Sequence, residues 1–277
     1  MAIGVTHLAA SLSTPFSGYL VWELVRRRLT GAYAAALVGP LWQLAQPALG
    51  VIVLTLVFSR WVSLDGSEHP HGDPSQGQAV RYGILLCCGL LPWRSMSQGI
   101  CASANLFVVN AQFLRRTRVS PIIYVWVELV AAALQFIAIF GIFLTVAICT
   151  GLEAQPGWLQ LVPLAMVQLA ICFGVQLASA AAGVFVRDLQ HVYSVAFQIL
   201  FWVTPIAYRP DVLSRAPGWI LAWNPLWYLV RSYREVVVQG EWLAVSTWLS
   251  LFGAAGAALL LGWLIYRQLQ ADIPDFV

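Results

Sequence analysis

Two ionisable side chains stand inside long apolar runs of this sequence: Arg94 in G-I-L-L-C-C-G-L-L-P-W-R and Glu128 in I-I-Y-V-W-V-E-L-V-A-A-A. A lone charge in hydrocarbon costs several kcal/mol, so such residues pair, face water or relay protons. At about 1.5 Å per helical residue, each lies roughly 10 Å from the same face of a bilayer. That shared depth on consecutive apolar segments predicts a structural ion pair, Arg94–Glu128, tying two helices together. A proton relay, or separate residues facing an aqueous path, are the other readings of these two positions.

Little else in the chain could do bond chemistry. A lipid or glycosyl transferase working at the membrane needs paired carboxylates or a metal cluster. Asp188 has only Arg187 beside it and Glu128 stands alone in its run, so an intramembrane transferase is a distant alternative. His69 and His71 in H-P-H-G are two ligands in a polar loop, too few for a metal site. All 15 basic residues are Arg. A nucleotide-binding P-loop needs a lysine on the phosphates, so this chain is expected to bind no cofactor, with ATP and Mg held by a partner. The odd set Cys87, Cys88, Cys101, Cys149 and Cys172 lies in apolar runs, which reads as small buried side chains and not as disulfides. A net charge of +3 without a basic stripe excludes nucleic acid as a partner.

These residues must be positioned by membrane helices. Of 277 residues, 60% are hydrophobic and 10% charged, against about 25% charged in soluble domains. The reading is an all-α integral membrane protein, one transmembrane domain over 1–277. Six transmembrane helices are expected at about 34–58, 82–104, 122–149, 158–185, 191–207 and 243–266. Residues 16–30 place Tyr19, Trp22, Val25 and Leu29 at helical spacing with Arg26, Arg27 and Arg28 at one end, an amphipathic helix lying on membrane lipids. Residues 61–80 form a polar external loop, and residues 1–30 carry no expected removable signal peptide. Arg26, Arg27, Arg28, Arg115, Arg116, Arg118, Arg187 and Arg267 fall on one side of this layout. The other side holds Arg60, Arg81, Arg209, Arg215, Arg231 and Arg234, accompanied by acids. The arginine clusters place both termini in the cytoplasm.

The stretch 186–208 opens with Arg187–Asp188, runs uncharged and stops at Thr204-Pro205; two short aromatic segments follow around Asn224-Pro225. Asn224 then Pro225 is a capping residue followed by proline at the first helical position. The helix so started can run to Gly240, about 21 Å, too short to span comfortably. Arg231, Arg234 and Glu235 make its polar side. Two short re-entrant gate helices over the outer mouth, within 209–240, fit this layout; an ordinary interfacial loop is the plainer alternative.

Four stretches resemble the membrane subunits of bacterial ABC exporters for polysaccharides, which move O-antigen, capsule and teichoic-acid polymers. They are W-E-L-V-R-R-R-L-T-G-A-Y with G-P-L-W-Q-L-A-Q-P, then G-L-L-P-W, then N-A-Q-F-L-R-R-T-R-V-S-P, and finally V-F-V-R-D-L through T-P-I-A-Y to N-P-L. The resemblance implies a multi-pass protein of the bacterial inner membrane, a homodimer with two separate ABC ATPase subunits, passing a lipid-linked polysaccharide. It implies a coupling helix within 107–118, with Asn110, Gln112, Arg115, Arg116 and Arg118 toward the ATPase. It places Asn224, Pro225, Arg231 and Arg234 in the gate. It also implies a channel lined by the first and fifth spans, nominating Trp42, Gln43, Gln46, Phe197, Phe201 and Trp202. An exporter of a small lipophilic molecule is the alternative within the same superfamily.

Overall fold

A computed structural model describes residues 18–31, 45, 49, 74–116, 120–206 and 224–273. Among the described residues every regular element is helical. They are α1 (Gly18–Gly31), α2 (Pro74–Ser103), the short α3 (Leu106–Val109) and α4 (Ala111–Arg116), and α5 (Ile122–Cys149). A 3-10 turn (Pro156–Gln160) leads into α6 (Leu161–Phe185), followed by α7 (Leu189–Val203), α8 (Pro225–Arg234) and α9 (Val245–Leu269). Among the described residues, three helical stretches are long and apolar enough to cross a membrane: Ile122–Cys149, Pro156–Phe185 and Val245–Leu269. Residues Trp42, Gln43, Gln46 and Arg118, the side chain of Arg116, and the first of the two expected gate helices lie outside the described residues.

Chain chemistry sets the ends of α7 and α8. Pro205 disfavours helical backbone at the residue before it, and Thr204 is extended (φ −86°, ψ 121°), ending α7 at Val203, short of the expected Ala207. The side chain of Asn224 accepts from the Leu226 amide at 3.0 Å, the expected cap. The helix that begins at Pro225 widens after Arg234 into a π-helical turn, Glu235–Gln239. It stops at Gly240, whose φ of 66° favours a residue without Cβ.

The tightest pairing is α6 with α9. A Cβ built on Gly262 would lie 2.1 Å from the Gly174 carbonyl oxygen, and one on Gly174 would lie 2.3 Å from that of Ala258. Backbones this close need small residues on both helices, the usual adhesive between helices in lipid. The two run parallel: Gln160, just before α6, accepts from the Leu243 amide at 3.0 Å near the start of α9, while Gly174 meets Gly262 further along. Around this pair a core gathers from α2, α5 and α8, including Cys88, Phe136, Phe140, Leu164, Tyr233 and Leu251. The Tyr233 hydroxyl there donates to Gln168 Oε1 at 2.8 Å, so a buried polar pair is satisfied.

The helix α1 lies on the first turns of α5, with Val21, Leu24, Val25 and Leu29 against Ile123, Val127 and Ala131. Its other face leaves Tyr19 and Trp22 exposed. The helix is amphipathic, but of the four residues expected at helical spacing only Val25 and Leu29 join the packed face, while Tyr19 and Trp22 lie on the exposed one.

A cleft between α2 and α7

The helices α2 and α7 run antiparallel and meet at three levels. Near one end, the Arg234 guanidinium reaches the Leu85 carbonyl on α2 and the Pro205 and Ile206 carbonyls just past α7. In the middle Trp93 packs edge-on to Phe197 (ring centroids 5.8 Å apart, 77° between planes) and obliquely to Phe201 at 6.3 Å. At the far end Asn105 donates to Gln190. One turn into α7 the Tyr193 hydroxyl is bonded to Ser179 Oγ on α6 at 3.0 Å. The fifteen residues of α7 include none that is fully buried. The helix is therefore pinned at its ends and only partly packed along its length.

Between the pins lies an open cleft of about 660 Å³. The wall on α2 is Leu90, Trp93, Arg94, Ser97, Gln98 and Cys101, a single helical face by their three- and four-residue spacing. The facing wall on α7 is Ser194, Phe197, Gln198 and Phe201, spaced the same way. The antiparallel register sorts these residues along the axis. Leu90, Trp93, Phe197 and Phe201 make an aromatic end, while Ser97, Gln98, Cys101, Ser194 and Gln198 make a polar end. Arg94 sits where the two meet.

The structure does not join Arg94 to Glu128. Glu128 takes a two-pronged ion pair from Arg28 of α1, with Nε to Oε2 at 2.7 Å and Nη2 to Oε1 at 3.0 Å. The Glu128 side chain is 8% exposed and that of Arg28 45%. The physical reason is rotation about the helix axes. Arg94 belongs to the face of α2 that looks at α7, whereas Glu128 shares the face of α5 that holds α1. Equal depth is readable from residue counts; facing is not. Arg94 has no ion-pair partner among the described residues, and it lines the cleft.

Of the channel-lining candidates, Phe197 and Phe201 are on the cleft wall, while Trp202 stacks edge-on to Phe201 and is 54% exposed. Asn224 caps α8 and also donates to Thr204 Oγ1 at 2.9 Å, tying the start of α8 to the end of α7. Arg231 pairs with Glu235 one turn on, at 2.6 Å on the exposed side. Arg234 does not share that polar side; it turns inward and donates to the Pro205 and Ile206 carbonyls, which lie past the end of α7 where no helical partner is available. Asn110 joins α3 to α4, its side chain donating to the Leu106 carbonyl at 2.8 Å. Gln112 and Arg115 are exposed beside Val109 and Phe113, two apolar side chains that are 78% and 58% exposed.

An all-helical bundle with membrane-length apolar helices, an amphipathic helix on its flank and a polar-aromatic cleft within is the build of a membrane transport protein. Comparison with known proteins gives the family. The ABC-2 type transporter family matches residues 19–238, and the chain belongs to it. It is similar to the O-antigen export system permease protein RfbA of Klebsiella pneumoniae, 25% identical over 269 residues that cover 94% of this chain and 96% of the relative. The Myxococcus xanthus protein of the same description is 25% identical over 228 residues, 81% of this chain and 82% of the relative. The polysialic acid transport protein KpsM of Escherichia coli is 20% identical over 241 residues, 84% of this chain and 89% of that protein.

Proposed function

We propose that this chain is the permease subunit of an ATP-driven exporter that passes a lipid-linked polysaccharide across the bacterial inner membrane. The observation that carries the reading is similarity along nearly the whole chain, helix α1 and segment α3–α4 included, to permeases described as exporting O-antigen or polysialic acid. In this reading two copies form the channel and both termini are cytoplasmic. Two ABC ATPase subunits hold ATP and Mg. The six-span layout includes α2 and the 15-residue α7, with α8 as one of the re-entrant gate helices.

Two local features support the parts. The exposed pair Val109 and Phe113, with Gln112 and Arg115 beside them, makes α3–α4 a short amphipathic knob suited to docking on a soluble subunit. The anchoring of α8 to the end of α7 through Asn224 and Arg234 suits a cap that moves with the fifth span.

The test is to purify the chain in lipid with the ATPase encoded beside it, count subunits, and measure ATP hydrolysis. A stable two-plus-two complex that hydrolyses ATP, together with intracellular retention of a surface polysaccharide when the gene is deleted, is the expected result. Failure to bind any ATPase, or normal surface polysaccharide in the deletion strain, overturns the reading. Export of a small lipophilic compound by the same complex would redirect it.

A further inference from the structure

We propose that the cleft between α2 and α7 is a binding site for an anionic group, a sugar carboxylate or a phosphate, with Arg94 as the ligand for its charge. In this site Gln98 and Gln198 bond the polar atoms around the charge, and Trp93 and Phe197 offer apolar ring surface next to it. Interpreting the occupant as part of an exported molecule rests on the function proposed above; the chemistry of the site does not.

The argument begins with the cost of the arginine. A guanidinium within a membrane bundle is retained where it is paired, bonded to backbone carbonyls, or exposed to a polar cavity. Arg28 has the first arrangement, on Glu128. Arg234 has the second, on three carbonyls of α2 and the end of α7. Arg94 has neither among the described residues and lines the cleft. Its planar fork matches the two oxygens of a carboxylate or phosphate. The side chains around it are neutral amides and hydroxyls that can donate as well as accept. Among the described residues no acidic side chain lines the cleft, so none of them competes with an anion for Arg94. The aromatic end lies about one helical turn away, so a group bearing both charge and an apolar ring face can engage both ends together.

Native Cys101 lines the polar end of the cleft and gives a direct test. The full chain, carrying Cys149→Ser to remove an exposed thiol, is placed in neutral lipid nanodiscs. Modification of Cys101 is followed by peptide mass spectrometry with a sulfonated methanethiosulfonate and with its trimethylammonium counterpart, each rate normalised to a free thiol. The anionic reagent is expected to react at least about tenfold faster than the cationic one, given the strength of a unit charge in a partly dry site. Arg94→Gln is expected to abolish the preference and Arg94→Lys to keep it.

Protection separates the two sources of the anion. Slowing by hyaluronan tetrasaccharide but not by neutral maltotetraose assigns the site to an acidic sugar. Slowing in nanodiscs containing phosphatidic acid, relative to phosphatidylcholine alone, assigns it to a lipid phosphate. Equal normalised rates in the unsubstituted cleft, equal protection by neutral and acidic saccharides, or no protection by any anionic probe overturns the proposal. Those arms need no Arg94 variant, so a misfolded variant does not leave the question open. Because the permease is tested alone, the result is independent of whether an ATPase partner is found.

Discussion

The pairs α6–α9 and α2–α7 show two ways of joining helices in one molecule. In the first, parallel helices close on Gly174, Ala258 and Gly262 until backbone meets backbone, leaving no room for another atom. In the second, antiparallel helices are fastened at their ends by Arg234 and Asn105 and touch between them through Trp93 on Phe197 and Phe201, with an open cleft beside that contact. Small residues in lipid gain packing and lose nothing polar. Large polar residues in the same place need a cavity with something polar in it. The contrast separates a pair sealed along its length from one that is joined at its ends and at one aromatic contact and leaves a polar cleft beside it.

Substitutions can break this contrast in order of expected effect. Gly262→Leu forces the sealed pair apart and should cost more than about 3 kcal/mol, read by denaturant unfolding in mixed micelles. Gly256→Leu on the same helix, where a Cβ meets nothing within 4 Å, should cost little. Arg234→Met removes the donor to the Pro205 and Ile206 carbonyls and should cost about 2–4 kcal/mol, since acceptors at a buried helix end lose their partner; unfolding and protease sensitivity of 204–224 report it. Asn224→Ala should cost about 1 kcal/mol through the lost cap, with Asn224→Ser recovering much of it in the same unfolding experiment. Arg94→Gln should change unfolding by less than about 0.5 kcal/mol, because no protein group depends on that guanidinium. A large loss there would make α2–α7 as structural in its middle as at its ends.

The sequence made legible whatever depends on position along a helix. The apolar run 122–149 is the helix Ile122–Cys149, the Asn224-Pro225 start is the start of α8, and Gly240 is the stop. Phe197 and Phe201 fall on one wall of a cleft because four-residue spacing fixes a common face whatever the neighbours are. What depends on rotation about an axis was not legible. Residue counts put Glu128 and Arg94 at similar depth, yet the partner of Glu128 is Arg28 on a flanking helix. Arg234 reads as polar surface beside Arg231 until the Pro205 and Ile206 carbonyls past the end of α7 are seen to need a donor. Tertiary neighbours decide both cases, and a single chain read in order contains no neighbours.

The central proposal is that the chain is an exporter permease and that the cleft between α2 and α7 holds part of the molecule it exports. The most direct test is polymer translocation by the complex with its ATPase in proteoliposomes, before and after Cys101 is alkylated with a bulky maleimide in the Cys149→Ser background. The account predicts that labelling lowers translocation several-fold while a Cys101→Ser complex is insensitive to the reagent. Unchanged translocation at complete labelling of Cys101 would contradict it.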